Sequence, residues 1–403
     1  MSTFKKIAQE FGQSVEVLQK NQELHSYQEI NGIDDLKQWL MKIGMQSTPS
    51  NEVLMDTMRN EKNDESKLPE NDLVQKGMNY LFSNGTLLEE EKKTLNNIIP
   101  KRIEQISIMD KTIEEGQIWE LGTSSTPVDI NIGTLTMKSG SAIRAYNTAV
   151  NLRIEKLIKE NGSTKGKVNY DFGFFGINGT KGTVGAIGGT GGAGAPGSKG
   201  EASSPGIAGK GGGPGSKGDN GGKGHKGGMG QDGLPCMPAT ITIKDLTRVS
   251  SLVVSTCSGA GGDGGDGGKG GTGGAGGKGG DGITTGCEGN NGGPGGMGGI
   301  GGQGGDGGDG GNAVNGYDIN INIPVTETSS KIIKVMDTAQ PGAGGVGGAG
   351  GAGGAGGVGG DAGKHSDSGQ SAGNGASGDP GEMGKSGTIS GYPGNICVSL
   401  ITF

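Results

Sequence analysis

The chain is short of most of what a large globular core is made from. Aromatic residues are 4% of its 403 residues and all hydrophobic residues together only 30%, too few for a conventional core along the whole length. Its 14 prolines fall below the about 15–20% Pro or hydroxyproline of collagen. No apolar run reaches the roughly 18 residues of a membrane-spanning helix, so no transmembrane segment is expected. The opening MSTFKKIAQEFGQSVEVL has a charged patch but neither an apolar h-region nor a small-residue cleavage site, and does not read as a secretory signal. Release by another route, as a virion component or a toxin freed by lysis, fits this, and so does a protein that never leaves the cytosol. The net charge of −7 disfavours nucleic acid as the main partner.

Reactive side chains are scarce too. The three histidines, His25, His225 and His365, are far apart, and no Ser/His/Asp or paired-carboxylate arrangement stands out. The four cysteines, Cys236, Cys257, Cys287 and Cys397, lack the C-x-x-C spacing of a zinc or redox site. They allow three pairings and leave open structural disulfides or buried free thiols. Neither enzyme activity, metal nor cofactor is expected.

What the chain has in excess is glycine, 93 residues, about three times the usual share. It falls in three blocks. From 173 to 233 every third residue is Gly except Ser203; 259–311 and 342–387 read mostly or initially as G-G-X. Each block is broken near its middle, at 201–204, 283–288 and 364–368, which gives two limbs per block with a turn between them. Between blocks lie alternating apolar connectors at 239–256 and 317–336, with a last one at 396–403; their similarity suggests an internal repeat.

The remaining sequence divides in two. Residues 1–115 read as a helical domain: Phe4, Ile7, Phe11, Val15 and Leu18 recur at helical spacing, Asp34 and Asp35 precede Leu36, Trp39 and Leu40, Asn51 can cap a helix through Met58, and further helices are expected around Leu73–Phe82 and Leu87–Ile98. Residues 116–172 read as a β-rich connector domain, with Val128, Ile130 and Ile132 and then Val150, Leu152 and Ile154 alternating with polar residues. The third domain is 173–403.

A three-residue glycine period has a physical reading. An extended three-fold helix makes no internal hydrogen bonds, so its N–H and C=O groups must find partners on neighbouring chains. A Cβ in a contact column would block that approach, so the column must be Gly. The number of Gly columns then reports the number of neighbours. On this logic the limb at 342–360, whose third column is only Ala and Val, is expected inside. The limb at 259–282, with Asp263, Asp266, Lys269, Lys278 and Asp281 in that column, should show those charges to water. The first block, with Lys181, Lys199, Lys210, Lys217 and Lys223, should be peripheral. Cys236–Cys257 is a plausible bridge because the pair brackets one connector, with Cys397 at the same base and Cys287 alone at the far end. A disordered glycine linker and a collagen triple helix remain alternatives, against which stand the strict register and the strand connectors.

These blocks, such as GAGGDGGDGGKGGTGGAGGKGGDG at 259–282 and GAGGVGGAGGAGGAGGVGG at 342–360, resemble polyglycine II helix-bundle proteins of two kinds: snow flea antifreeze proteins, and the adhesins at the tips of T-even-like phage tail fibres. The resemblance covers about 173–394. It implies a C-terminal bundle of about six antiparallel polyglycine II helices; with the helical and β readings of residues 1–172, the expected fold class is multidomain, an N-terminal α-helical bundle, a small β layer and that bundle. G-x-G-x-x-G occurs often, but in this composition it does not mark a dinucleotide site, and the Asp residues after Gly pairs lack the aliphatic of a calcium-binding nonapeptide.

The expected function is a non-enzymatic receptor-binding or surface-contact protein, extracellular or particle-associated, that presents its distal turns to a cell-surface receptor or glycan. The candidate binding residues are Glu201, Ser203, Ser204, Thr284, Thr285, Glu288, Lys364, His365 and Asp367; the disulfide candidates are Cys236, Cys257 and Cys397. The N-terminal domain would attach the protein to a larger particle or form a homo-oligomer. A secreted insecticidal-type toxin with a membrane-active helical domain, a self-assembling structural protein and an ice-binding protein are the alternatives.

Overall fold

The alternation that begins near Arg102 sets the architecture. Ile130, Ile132, Leu152, Ile154, Ile241 and Ile321 are each at most 1% exposed, and they sit on strands that share one core. A computed structural model describes residues 2–42, 69–82, 84–122, 126–160 and 168–403. The helices are α1 (Thr3–Glu10), α2 (Val15–Leu18), α3 (Ile33–Lys42), α4 (Pro69–Phe82) and α5 (Glu89–Leu95). The strands are β1 (Leu24–Glu29), β2 (Arg102–Ile113), β3 (Ile118–Leu121), β4 (Val128–Met137), β5 (Ala142–Tyr146), β6 (Val150–Lys159), β7 (Phe172–Phe175), β8 (Ala202–Ser204), β9 (Ile207–Ala208), β10 (Ala239–Ile243), β11 (Leu252–Cys257), β12 (Thr284–Thr285), β13 (Glu288–Gly289), β14 (Ile319–Pro324), β15 (Ile332–Asp337) and β16 (Ile396–Ile401).

A seven-stranded sheet has the order β1-β2-β4-β6-β10-β14-β16, and a five-stranded sheet the order β15-β11-β7-β5-β3. The chain visits the two sheets alternately, and from β2 onward every pairing within them is parallel. This is a coil of rungs, one strand to each sheet per rung. Among the described strands of these two sheets only β1 pairs antiparallel, against β2, and it covers that end of the larger sheet. The side chains between the sheets include Leu135, Leu152, Ile241 and Ile319 from one and Ile143, Phe172, Phe174 and Leu252 from the other, all at most 1% exposed.

The N-terminal helices pack on this coil. The Phe4 amide of α1 donates to Glu155 Oε1 at 2.8 Å, and its carbonyl accepts from Asn131 Nδ2 at 2.9 Å. The α3 face of Ile33, Leu36, Trp39 and Leu40 joins Leu81, Phe82 and Leu95 in a cluster that reaches Ala149 and Tyr317 of the coil, with the Phe82 and Tyr317 ring centroids 4.5 Å apart. The expected helical domain over 1–115 is corrected accordingly. Among the described residues no N-terminal helical bundle forms, because Leu24–Glu29 and Arg102–Ile113 are strands of the large sheet and the helices, which also pack on one another, lie against the coil. The helix expected from Asn51 to Met58 lies outside the described residues.

The glycine blocks interrupt this coil where it crosses from the smaller sheet back to the larger. Six extended limbs result: limb 1 (176–200), limb 2 (211–233), limb 3 (259–282), limb 4 (291–312), limb 5 (342–363) and limb 6 (369–387). Limbs 1, 3 and 5 run side by side in one direction. The amides of Gly179 and Gly182 donate to Ala260 and Asp263, and those of Gly264 and Gly267 to Ala343 and Val346, all at 2.8 Å. Limbs 2, 4 and 6 form a second row running the opposite way, as in Gly221 to Ile300 and Gly304 to Asp379, both 2.8 Å. Antiparallel bonds join the rows, for example Gly265 to Gly228 and Gly345 to Gly308. Limbs 3 and 4 each bond to four others, and limbs 1 and 6 to two.

Three expectations change. Among the described residues strand outweighs helix, 26% against 11% of the chain, and the glycine limbs lie in none of the helices. The fold class, an α-helical bundle, a small β layer and a bundle of polyglycine II helices, is therefore replaced by a mixed sheet and a parallel sheet with extended limbs cross-linked every third residue. Second, limb 5 is not interior. Neighbours are met through glycine columns, so the third column faces outward whatever it carries, and Val346 and Val358 are 59% and 58% exposed. Third, the acidic residues of that column do more than meet water. Asp263 Oδ1 accepts the Ala343 amide at 2.8 Å and Asp266 Oδ1 the Val346 amide at 3.0 Å. Asn178, Asn220, Asp306 and Asp309 do the same for Ala260, Ile300, Glu382 and Lys385. The outward amide of each such pair would otherwise have only solvent as its partner.

Candidate functional site: the distal turns

Every limb pair begins and ends at the coil, so the three reversals gather at the other end of the limbs. A limb of this length spans at most about 80 Å as extended chain. The first turn (201–210) is a hairpin of β8 and β9 with Gly206 at φ +82°. The second (283–290) is a hairpin of β12 and β13 with Gly286 at φ +61°; in both, positive φ is where glycine costs least. The third (364–368) is a tight turn with His365 at φ +58°.

Asn290 joins the first two turns. It is 7% exposed, its Nδ2 donates to Glu201 O at 3.0 Å and Lys210 O at 2.7 Å, and its Oδ1 accepts the Ile283 amide at 2.6 Å. Thr284 Oγ1 joins the second to the third by accepting the Lys364 amide at 3.0 Å, and Asn291 Oδ1 accepts the Asp367 amide at 3.0 Å. The turn glycines Gly206 and Gly286 are near enough that a Cβ on Gly286 would lie 3.5 Å from Gly206 Cα. The three reversals therefore share one end surface.

Of the expected binding residues, Glu201, Ser203, Ser204, Thr284, Glu288, Lys364, His365 and Asp367 are exposed on this surface. Thr285 is half-buried, and its Oγ1 donates to Glu288 O at 3.3 Å. The sequence reading passed over Asn290, which holds the turns together, and Ile207, which is 54% exposed beside the serines. The Asn290-Asn291 doublet, where the G-G-X pattern fails, is the available signal. Just below the turns, Lys278 Nζ lies 2.7 Å from Asp281 and 3.2 Å from Asp361, and the Lys278 hydrogen bond holds the Asp281 carboxyl below its usual range.

The cysteines are placed differently from expectation. All four are free, which overturns the proposed Cys236–Cys257 bridge and any pairing with Cys397. Bracketing a connector in sequence does not aim two thiols at each other. Cys236 is fully buried in the coil, and its Sγ accepts from Thr256 Oγ1 at 3.2 Å; Cys257 Sγ contacts Ser258 O at 3.3 Å. Burial pushes the Cys236 thiol up to about 12 and also raises Cys257 and Cys397. Cys287 is exposed at the second turn. Among the described residues no group of three or more His, Cys, Asp or Glu could hold a metal ion, and no helix is long and apolar enough to cross a membrane.

No known protein family, curated protein or solved structure matches the chain. With sheet as the main regular structure, the resemblance to polyglycine II helix-bundle proteins is not carried over, and any functional reading rests on the distal surface itself.

Proposed function

We propose that this is a non-enzymatic surface-contact protein that binds a cell-surface receptor or glycan through its distal turns. One observation carries the reading. Three reversals from distant parts of the chain are joined side by side through Asn290 and Thr284, at the end of the molecule farthest from its apolar core. Exposed polar groups from three separate turns, with Ile207 among them, make a composite surface of the kind loops on a rigid scaffold offer a partner. Its groups are acceptors and donors of both charge signs, which suits a polar ligand, while the acidic net charge makes nucleic acid a poor one. The coil and its N-terminal helices would then be the end held by a larger particle or by further copies, and the protein would act outside the cell.

The test uses immobilised glycans and a panel of intact cells as probes. The full chain is compared with a variant carrying Glu201→Ala, Ser204→Ala, Glu288→Ala and Lys364→Ala. Binding should fall at least about tenfold, corresponding to ~1.4 kcal/mol, with the unfolding transition unchanged. An unaltered binding pattern for a folded variant removes the turns as the contact surface.

A further inference from the structure

The close contacts between limbs follow two rules. In limbs 2 to 5, one glycine column lies beneath the carbonyls of the next limb. A Cβ on Gly215, Gly264, Gly295 or Gly347 would lie 2.0 Å from the carbonyl oxygen of Gly277, Gly308, Gly357 or Gly381 respectively. In limbs 3 to 6, another column lies against the limb two places earlier. A Cβ on Gly265, Gly296, Gly345 or Gly378 would lie 1.9–2.0 Å from the carbonyl oxygen of Thr183, Ser216, Gly265 or Gly302. No side chain fits at such distances.

At the two ends of the lattice the same columns carry side chains at most positions. In limb 6 the first column reads Ser371, Asn374, Ser377, Pro380, Met383 and Ser386, all exposed. In limb 1 the second column carries Thr180, Thr183, Ala186, Ala195 and Ser198 beside Gly189 and Gly192, and in limb 2 Ser216, Asp219, His225 and Gln231 beside Gly213, Gly222 and Gly228. Pro380 has no amide to offer a further limb. Asn374 Oδ1 and Ser371 Oγ instead turn back onto limb 5 and accept the Gly356 and Gly359 amides at 2.9 and 3.4 Å.

We infer that side chains close both edges of the lattice, so that it holds six limbs and excludes the limbs of a second copy of this chain. Repeating the observed spacing would place a seventh limb's carbonyls within about 2 Å of the limb 6 Cβ atoms, a separation that van der Waals repulsion forbids. The limb 1 and 2 side chains of that second copy would meet limbs 5 and 6 in the same way. The edges of this lattice present the hazard of an unprotected sheet edge, and they are blocked by volume rather than by charge. The glycine content of each limb thus follows position: two glycines per triplet where limbs lie on both sides, and mostly one where the lattice must end.

The test removes one block from each of two variants. The first carries S371G, N374G, S377G, P380G, M383G and S386G; the second carries T180G, T183G, A186G, A195G, S198G, S216G, D219G, H225G and Q231G. Each alone keeps one closed edge and should sediment like the wild type. Mixed one to one, they should form a complex of twice the mass either shows alone. If both variants keep limb 3 amides protected from exchange and the mixture still does not associate, the inference fails. The wild type supplies a second measurement should either variant fail to fold. The Gly344, Gly347, Gly350 and Gly353 amides, which a seventh limb would accept, should exchange at least about tenfold faster than Gly264, Gly267 and Gly270 at every protein concentration. Protection that grows with concentration overturns the inference.

Discussion

In the coil, the positions of closest approach are filled by the largest apolar side chains, such as Ile130, Ile241 and Phe172, each fully buried. In the limbs, the positions of closest approach carry no side chain at all. The coil gains its stability mainly by removing apolar surface from water. The limbs bury little apolar surface and replace it with a repeated backbone hydrogen bond, each a net contribution of about 1 kcal/mol, against glycine's large ordering entropy. A single limb could not hold itself extended on those terms. Six limbs sharing bonds to as many as four neighbours can, anchored at every passage through the coil.

The comparison is tested most severely by a one-carbon change of opposite sign in each region. A Cβ on Gly271 would lie 1.9 Å from the Gly189 carbonyl oxygen and 2.6 Å from its carbon, and neither is a movable side chain. Gly271→Ala is therefore expected to cost about 4 kcal/mol or more and to open the limbs around it, whereas Ile241→Val in the coil should cost about 0.5–1.5 kcal/mol. Denaturant unfolding of both variants, with exchange at limb 3 amides, measures the pair. Similar costs would mean that the limbs yield as a side-chain core does. Ala275→Val, in the outward column of the same limb, should be nearly neutral and shows that the rule concerns a column rather than the limb.

The second effect belongs to the coil alone. The folded state holds the Cys236 proton up to about 12, against an ordinary value of 9.0, because burial disfavours the thiolate. Between those values the unfolded chain has lost the proton and the folded one has not. Stability should therefore fall as pH rises from about 9 to 12, by at most ~1.4 kcal/mol per unit. Burial also raises the Tyr317 hydroxyl, so the measurement is the difference in slope between wild type and Cys236→Ala. Equal slopes would show that the site is more solvated than its exposure indicates.

The two regions were also unequally legible. A contact that forbids a Cβ leaves its mark at every third residue, so the limbs, their turns and their connectors can be placed from glycine spacing. A strand covered on both faces leaves a weaker mark. In Arg102–Ile113 the buried residues include Ile103, Ser107 and Ile108 as well as Ile106 and Ile113, and no clean alternation separates the strand from the helical run before it. Limb 5 misled because Ala and Val suggest burial, yet the limbs meet through glycines and leave every third column outside. The turns could be located as breaks in the pattern, but not that Asn290 joins them, since its partners Glu201 and Lys210 are 89 and 80 residues away.

The smallest effect separates charge from hydrogen bonding in the outward columns. Asp263 and Asp266 could contribute as charges, through exposed contacts such as Lys181–Asp266 at 3.9 Å, or as acceptors for the Ala343 and Val346 amides. Exposed ion pairs contribute little and weaken with salt. An accepted amide bond at a partly solvated position should contribute about 0.5 kcal/mol. Asn already fills the acceptor role at positions 178, 220 and 312, which indicates that the oxygen matters and the charge does not. Asp263→Asn should therefore leave stability unchanged in low and high salt. Asp263→Ala should lose about 0.5 kcal/mol and speed exchange of the Ala343 amide. If Asp263→Asn loses as much as Asp263→Ala, and salt narrows the gap to wild type, the column is electrostatic after all. The contrast between the regions would then be between apolar side chains and charged ones, rather than between side chains and backbone.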